Sequence, residues 1–263
     1  MRAPALLTVL FPILGVLLAL SGCAPMAGEG ISSSSQQADA QRRADIRLQL
    51  ASAYFAEGQY STALKELEQA YQTGQRRADV LGLKALVLMQ QGDQAGASRT
   101  LSQALQAEPD NPGLLNNMGW LLCETGRSDE GLTYIRRALA DRSYAYPAKA
   151  LVNAGRCSVR AGRSQEAAGF FRQAIAIDPA QTIAHASLAR LAYEAGDYAR
   201  AKTHMLQVLA GEHAAKDDYL MAMSIERKLG DAVAEQSLAR QWRKKFPGAA
   251  DAGGSFIDDA DDR

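Results

Sequence analysis

Six glycines constrain this chain more than any other feature. Gly58, Gly92, Gly126, Gly162, Gly196 and Gly230 follow one another at separations of 34, 34, 36, 34 and 34 residues. Each sits in a polar context (Glu-Gly-Gln, Gln-Gly-Asp, Thr-Gly-Arg, Ala-Gly-Arg, Ala-Gly-Asp, Leu-Gly-Asp) between two apolar-periodic stretches. A glycine there leaves helical φ/ψ at little cost and ends the first helix of a hairpin. Five residues later comes a small residue, Ala63, Ala97, Gly131, Ala167 and Ala201, where two helices must cross closely; only the last unit departs, with Glu235. Nine residues after each glycine lies an apolar residue: Leu67, Leu101, Ile135, Phe171, Met205 and Ala239. Pro109, Pro179 and Pro247 close three of the units, where proline cannot continue a helix.

A 34-residue helix–turn–helix with this spacing is the tetratricopeptide pattern, and six matches stand in phase. The pattern implies an all-α chain, a right-handed α-solenoid of six repeats over 44–249, with units at 44–77, 78–111, 112–145, 148–181, 182–215 and 216–249. One hairpin cannot bury both faces, so each repeat needs its neighbours. The two extra residues fall near Tyr144-Ala145-Tyr146-Pro147 and predict a longer turn between the third and fourth units, with a local change of curvature. Glu235, with Arg240, Arg243, Lys244 and Lys245 after it, reads as the polar end-capping of the last unit. The segment 250–263 is small and acidic, with Asp258-Asp259 and Asp261-Asp262, and is expected to be disordered.

Ahead of the repeats, Arg2 precedes an apolar run, Ala5 to Leu20, that ends at Leu20-Ser21-Gly22-Cys23. A short positive region, an apolar stretch and then small residues read as a signal peptide over 1–22. A run of about 16 residues is short for a membrane span. Leu-Ser-Gly-Cys also resembles the lipobox of bacterial lipoproteins, which implies cleavage before Cys23 and a lipid on its sulfur. Ala24 and Pro25 follow, without the Asp that resembles an inner-membrane retention mark, so an outer-membrane location on the periplasmic face is expected. Residues 23–43, rich in Ser, Gly, Gln and Ala, cannot bury an apolar face and read as a flexible tether. Formal net charge is 0, from 29 basic and 29 acidic residues, which offers no basic face for nucleic acid.

Catalysis has little support. Among the three histidines, His185, His204 and His213, none belongs to a His-Glu-x-x-His arrangement, and no Gly-x-Ser-x-Gly, P-loop or dinucleotide fingerprint occurs. No enzyme activity, cofactor, metal or small-molecule substrate is therefore expected. His185 and His204 share a repeat and can approach each other across the hairpin as ordinary polar positions of a solenoid. Cys123 and Cys157 lie in the first helices of repeats three and four, 34 residues apart. Export would place them in an oxidising compartment, where a disulfide can form; two buried thiols fit the same spacing, because cysteine is a common core residue. The concave face of such an array is lined by first helices. The glycine register turns Leu48, Phe55, Leu86, Met89, Asn116, Trp120, Val152, Arg156, Arg160, Arg190 and Tyr193 inward. Asn116, Trp120, Arg156, Arg160, Arg190 and Tyr193 form the candidate partner groove: Arg pairs carboxylates, Asn bonds peptide groups, and Trp and Tyr anchor interfaces.

Three further stretches carry a narrower resemblance: Leu115-Asn116-Asn117-Met118-Gly119 with Gly126-Arg127 after it, Ala148-Lys149-Ala150-Leu151-Val152-Asn153-Ala154-Gly155, and Lys244-Lys245-Phe246-Pro247-Gly248. In this order, behind a lipobox and across six repeats, they are similar to the type IV pilus biogenesis and stability lipoproteins, the pilotins of the pilus secretin. The resemblance implies an outer-membrane lipoprotein that binds secretin subunits and helps them assemble into a channel for the pilus, needed for twitching motility. The alternative is a lipid-anchored regulator or scaffold of peptidoglycan synthases or hydrolases.

Overall fold

The computed structural model describes residues 29–247. The signal-peptide and Cys23 readings, and the acidic segment 250–263, lie outside the described residues. Among those described, the chain forms twelve α-helices and no strand. They are α1 (Glu29–Ala56), α2 (Tyr60–Gln72), α3 (Arg77–Gln90), α4 (Gln94–Ala107), α5 (Pro112–Glu124), α6 (Ser128–Ala140), α7 (Pro147–Arg160), α8 (Ser164–Ile177), α9 (Thr182–Glu194), α10 (Tyr198–Leu209), α11 (Lys216–Leu229) and α12 (Ala232–Lys245). From α2 onward each helix packs on the next, and α3, α5, α7 and α9 also touch in series. The result is the helical solenoid that the repeat period implies. No helix among the described residues is long and apolar enough to cross a membrane.

The six register glycines all take positive φ, from +72° to +82°, and each separates the two helices of one hairpin. In three repeats the next residue is aspartate, and its side chain caps the second helix: Asp93 accepts from the Gly96 amide at 2.7 Å, Asp197 from Arg200 at 3.0 Å and Asp231 from Ala234 at 2.9 Å. Each cap satisfies an amide that the first helical turn leaves unpaired.

Ala63, Ala97, Ala167 and Ala201 are fully buried at the helix crossings. Repeat three is tighter still. A Cβ on Gly119 would stand 2.6 Å from the Gly131 carbonyl, and one on Gly131 would meet the Gly119 carbonyl and Cys123 Sγ. Glycine is the residue that lets α5 and α6 cross at this distance. Leu67, Leu101, Ile135 and Phe171 fill the next layer with no exposure. Phe171 needs Gly155 opposite it, since a Cβ there would come within 2.5 Å of the ring.

Three features differ from the sequence reading or extend it. Residues 29–43 are helical, as the first turns of α1, where a tether was expected. Residues 33–39 are exposed. Gln, Ala and Arg in Gln36–Arg43 are strong helix formers, and Gln41 reaches Asp45 one turn on at 3.3 Å. The insertion appears as the connection 141–146 between α6 and α7, against 108–111 and 178–181 between neighbouring repeats. Finally, α12 buries none of its residues. Glu235, at the position of the crossing alanines, instead binds Arg227 of α11 through Oε1 at 2.7 and 3.0 Å.

Candidate functional site

The first helices line a concave face with two kinds of surface. One part, a concavity of about 800 Å³, spans α1, α3, α5 and the start of α7. Leu48, Leu86 and Asn116 line it, as the register implied. So do Tyr144, Tyr146 and Lys149, which the sequence reading had assigned to a turn and a family motif rather than to the groove. The two extra residues are what carry these rings to the cavity edge. Tyr144 packs edge-on to Tyr146 at 6.3 Å between ring centroids, and Lys149 Nζ lies 4.9 Å from the Tyr146 centroid. Burial, with Tyr146 adding to it, pushes the Tyr144 phenol up to about 12. The signal in the sequence was a pair of tyrosines inside an insertion that breaks an otherwise strict period.

Asn116 is 6% exposed and serves the fold. Its Oδ1 accepts from Asn153 Nδ2 of α7 at 3.1 Å, while the neighbouring Asn117 donates to the Gly82 carbonyl of α3 at 3.3 Å. Two adjacent asparagines thus tie three first helices across one face.

The second kind of surface begins at Trp120. The Arg156 guanidinium lies over the indole, its Cζ 4.4 Å from the ring centroid. Desolvation lowers the Arg156 pKa below the ordinary guanidinium value, Glu124 works against that shift, and Arg160 adds repulsion. Glu124 pairs with Arg160, Oε2 to Nη2, at 2.7 Å. Its Oε1 is buried with no hydrogen-bond partner. Trp120, Glu124 and Arg156 border a depression of about 300 Å³ with Met89, Gln90 and Gln94. Arg156, Arg160 and Arg190 border a second of about 330 Å³. Four of the six candidate groove residues, Trp120, Arg156, Arg160 and Arg190, therefore gather on one continuous face. Tyr193 turns away: it is half-buried against the α10–α11 core, its ring 5.3 Å from that of Tyr198. Val152, at 4% exposure, and Phe55 likewise belong to the core. Their register borders the groove, and their apolar bulk is drawn into the interhelix layer.

Beneath this face the sulfurs of Cys123 and Cys157 are joined, with the two Cα atoms 5.4 Å apart. Around them Arg163 binds Asp129 of α6 at 2.5 Å, and Arg136 binds Glu166 of α8 at 2.6 Å. Repeats three and four are thus tied by a covalent bond, two asparagines and three ion pairs. His185 and His204 do meet across the repeat-five hairpin, Nδ1 to Nδ1 at 3.2 Å. His185 Nε2 faces the Pro179 carbonyl at 3.2 Å, which can only accept. With both rings neutral, the carbonyl selects the His185 tautomer protonated on Nε2, and His204 then donates from Nδ1. Both His185 nitrogens are spent on these contacts. No group of three or more His, Cys, Asp or Glu side chains among the described residues is arranged to hold a metal.

Tetratricopeptide repeat family models match residues 48–112, 116–182 and 158–224. Among solved structures the chain is similar to that of PilW, described as a widely conserved type IV pilus biogenesis factor, at 28% identity and a TM-score of 0.67 over 78% of this chain and 94% of that one. It is also similar to pilF of Pseudomonas aeruginosa, at 21% identity and TM-score 0.66 over 80% and 95% of the two chains. A thermophilic tetratricopeptide repeat protein of Thermus thermophilus matches at 18% identity and TM-score 0.60 over 69% and 98%. The last two likenesses show the fold. No curated protein matches the sequence closely enough to count as a relative.

Proposed function

The chain belongs to the tetratricopeptide repeat family, and from that premise we propose that it is a protein-binding scaffold of the type IV pilus machinery, anchored by a lipid on Cys23 at the periplasmic face of the outer membrane, where it receives secretin subunits and helps them assemble. The observation that carries the reading is the likeness to PilW, which extends over 78% of the chain at 28% identity. The lipobox-like Leu20-Ser21-Gly22-Cys23 supports the anchor. The mechanism is tethering. The lipid sets location, the concave face holds a segment of the client, and confinement near the membrane raises the effective concentration of subunits for one another. No bond is made or broken.

Deletion of the gene, with secretin multimers and twitching motility read together, tests this. Loss of multimers, mislocalised monomers and absent pili support the reading. Intact multimers and motility overturn it and turn attention to cell-wall synthases and hydrolases. Cys23→Ser addresses the anchor separately: the protein should leave the membrane fraction and remain folded, and continued membrane fractionation would remove the lipid from the account.

A further inference from the structure

We infer that the repeat-four and repeat-five end of the groove takes a carboxylate-bearing, extended segment of the partner protein, an acidic side chain set next to an aliphatic one. This rests on the reading of the concave face as a protein-binding groove and names the chemistry it selects.

Trp120, Arg156 and Arg190 each stand six residues before a register glycine, so they occupy one level on three successive first helices. Arg47, Arg127, Arg137, Arg163 and Arg227 all hold a carboxylate within 3.0 Å. The groove cations differ. Arg156 rests on an indole, Lys149 on the Tyr146 ring, and Arg190 is exposed; among the described residues none of the three forms an ion pair. A ring face attracts a cation without neutralising it. It also holds the planar guanidinium in place, so less side-chain freedom remains to be lost when a carboxylate docks on its two parallel N–H groups.

Among the described residues, the acids nearby form no ion pair with Arg156 or Arg190 and are outnumbered by the arginines Arg156, Arg160 and Arg190. Glu124, which borders the Trp120 depression, is taken by Arg160, and Glu194 is the one carboxylate lining the depression that Arg190 borders. The same depression exposes Val159 at 42% and Ile183 at 50%, apolar surface for a neighbouring aliphatic side chain. At the other end of the groove the charges balance: Asp45 and Asp79 share Arg76, at 3.3 and 2.6 Å, and Lys149 lines the same concavity. The groove is therefore polarised, and the polarity orients the segment with its acidic end on repeats four and five.

Trp120 is the reporter. The chain has two tryptophans, so Trp242→Phe in the full-length protein leaves Trp120 alone. Its fluorescence would be titrated with a capped peptide of about twelve residues alternating Asp and Leu, long enough at ~3.3 Å per residue to cross three helices, and with the counterpart in which Lys replaces Asp. The expected result is saturable quenching by the acidic peptide, at least about tenfold tighter than by the basic one, weakening as salt rises from about 50 to 300 mM. Arg156→Gln with Arg190→Gln should lose about tenfold in affinity, the order of one charge-assisted contact. Arg156→Glu should reverse the preference toward the basic peptide, which a variant that merely misfolds cannot do. Equal binding of the two peptides, or unchanged affinity after both arginines are neutralised, overturns the inference. So does a change in Trp120 emission on replacing Asp258, Asp259, Asp261 and Asp262 with Asn in the absence of peptide, because the chain's own acidic run would then be the occupant. The two proposals fail separately. Charge-independent capture of secretin by wild type and variants removes the acidic-segment inference and leaves the scaffold. A charge-selective groove with intact secretin multimers in the deletion strain keeps the inference and assigns the groove to another protein.

Discussion

Repeats three and four and repeat six are built on one register and hold themselves together by different means. In repeats three and four, glycines at 119, 131 and 155 bring helices close enough that carbonyl, sulfur and ring fill the space of a missing Cβ. The hairpins are bound to each other by Cys123–Cys157, Asn116–Asn153 and Glu124–Arg160. In repeat six, Glu235 occupies the crossing position, α12 buries no residue, and an ion pair to Arg227 replaces close packing. The contrast shows that the period specifies where helices turn, while local residue size specifies how much each hairpin contributes to the core. Repeat arrays have stability that sums over units and their interfaces, so the centre of this array is expected to be its most stable part, directly beneath the candidate groove.

The largest expected effect is that of Phe171→Ala. The ring is fully buried between α7 and α8, and its removal should cost about 3–5 kcal/mol in denaturant unfolding. A loss below about 1 kcal/mol would break the picture of a stable centre. Next comes Cys123→Ser with Cys157→Ser. A closed loop of 34 residues should contribute about 3–4 kcal/mol through the unfolded chain. Thiol titration of the unfolded, unreduced protein should find neither sulfur free.

A smaller effect lies in repeat five. Burial, the facing His185 and Arg200 lower the His204 pKa from the ordinary value of 6.5. The unfolded chain then binds that proton more readily than the folded one, so stability is full above about pH 6.5 and declines as pH falls from there. His204→Gln should flatten the decline in urea melts compared between neutral and mildly acidic pH; an unchanged pH dependence would place its origin elsewhere. The smallest effect belongs to Glu235→Ala. The variant restores the small crossing residue and removes a partly exposed ion pair, so the change should stay within about 1 kcal/mol. A larger loss would make the Arg227 contact a structural tie comparable with those of the centre.

Much of this was legible beforehand. The turns, the crossings and the buried layer at Leu67, Leu101, Ile135 and Phe171 follow from a repeated register, because one glycine in one phase restates the same local geometry six times. Trp120, Arg156, Arg160 and Arg190 were readable as a surface for the same reason. Val152 and Tyr193 were not. Their register lies at the border between groove and core, where a few tens of degrees of helix rotation decide between water and a neighbouring helix. The helical state of 29–43 was hidden by a composition that argues against burial, which is a separate question from helix propensity.

Periodicity, small residues and turn glycines were enough to determine a six-hairpin solenoid and its inward face, since each depends on contacts within about 34 residues. Which cations on that face already have carboxylates, and which rest on rings, was decided only in three dimensions. Arg160 meets Glu124 and Arg156 meets Trp120 across 36 residues of sequence, through the packing of neighbouring helices. Pairing between repeats depends on crossing distance and side-chain direction, and a period records neither.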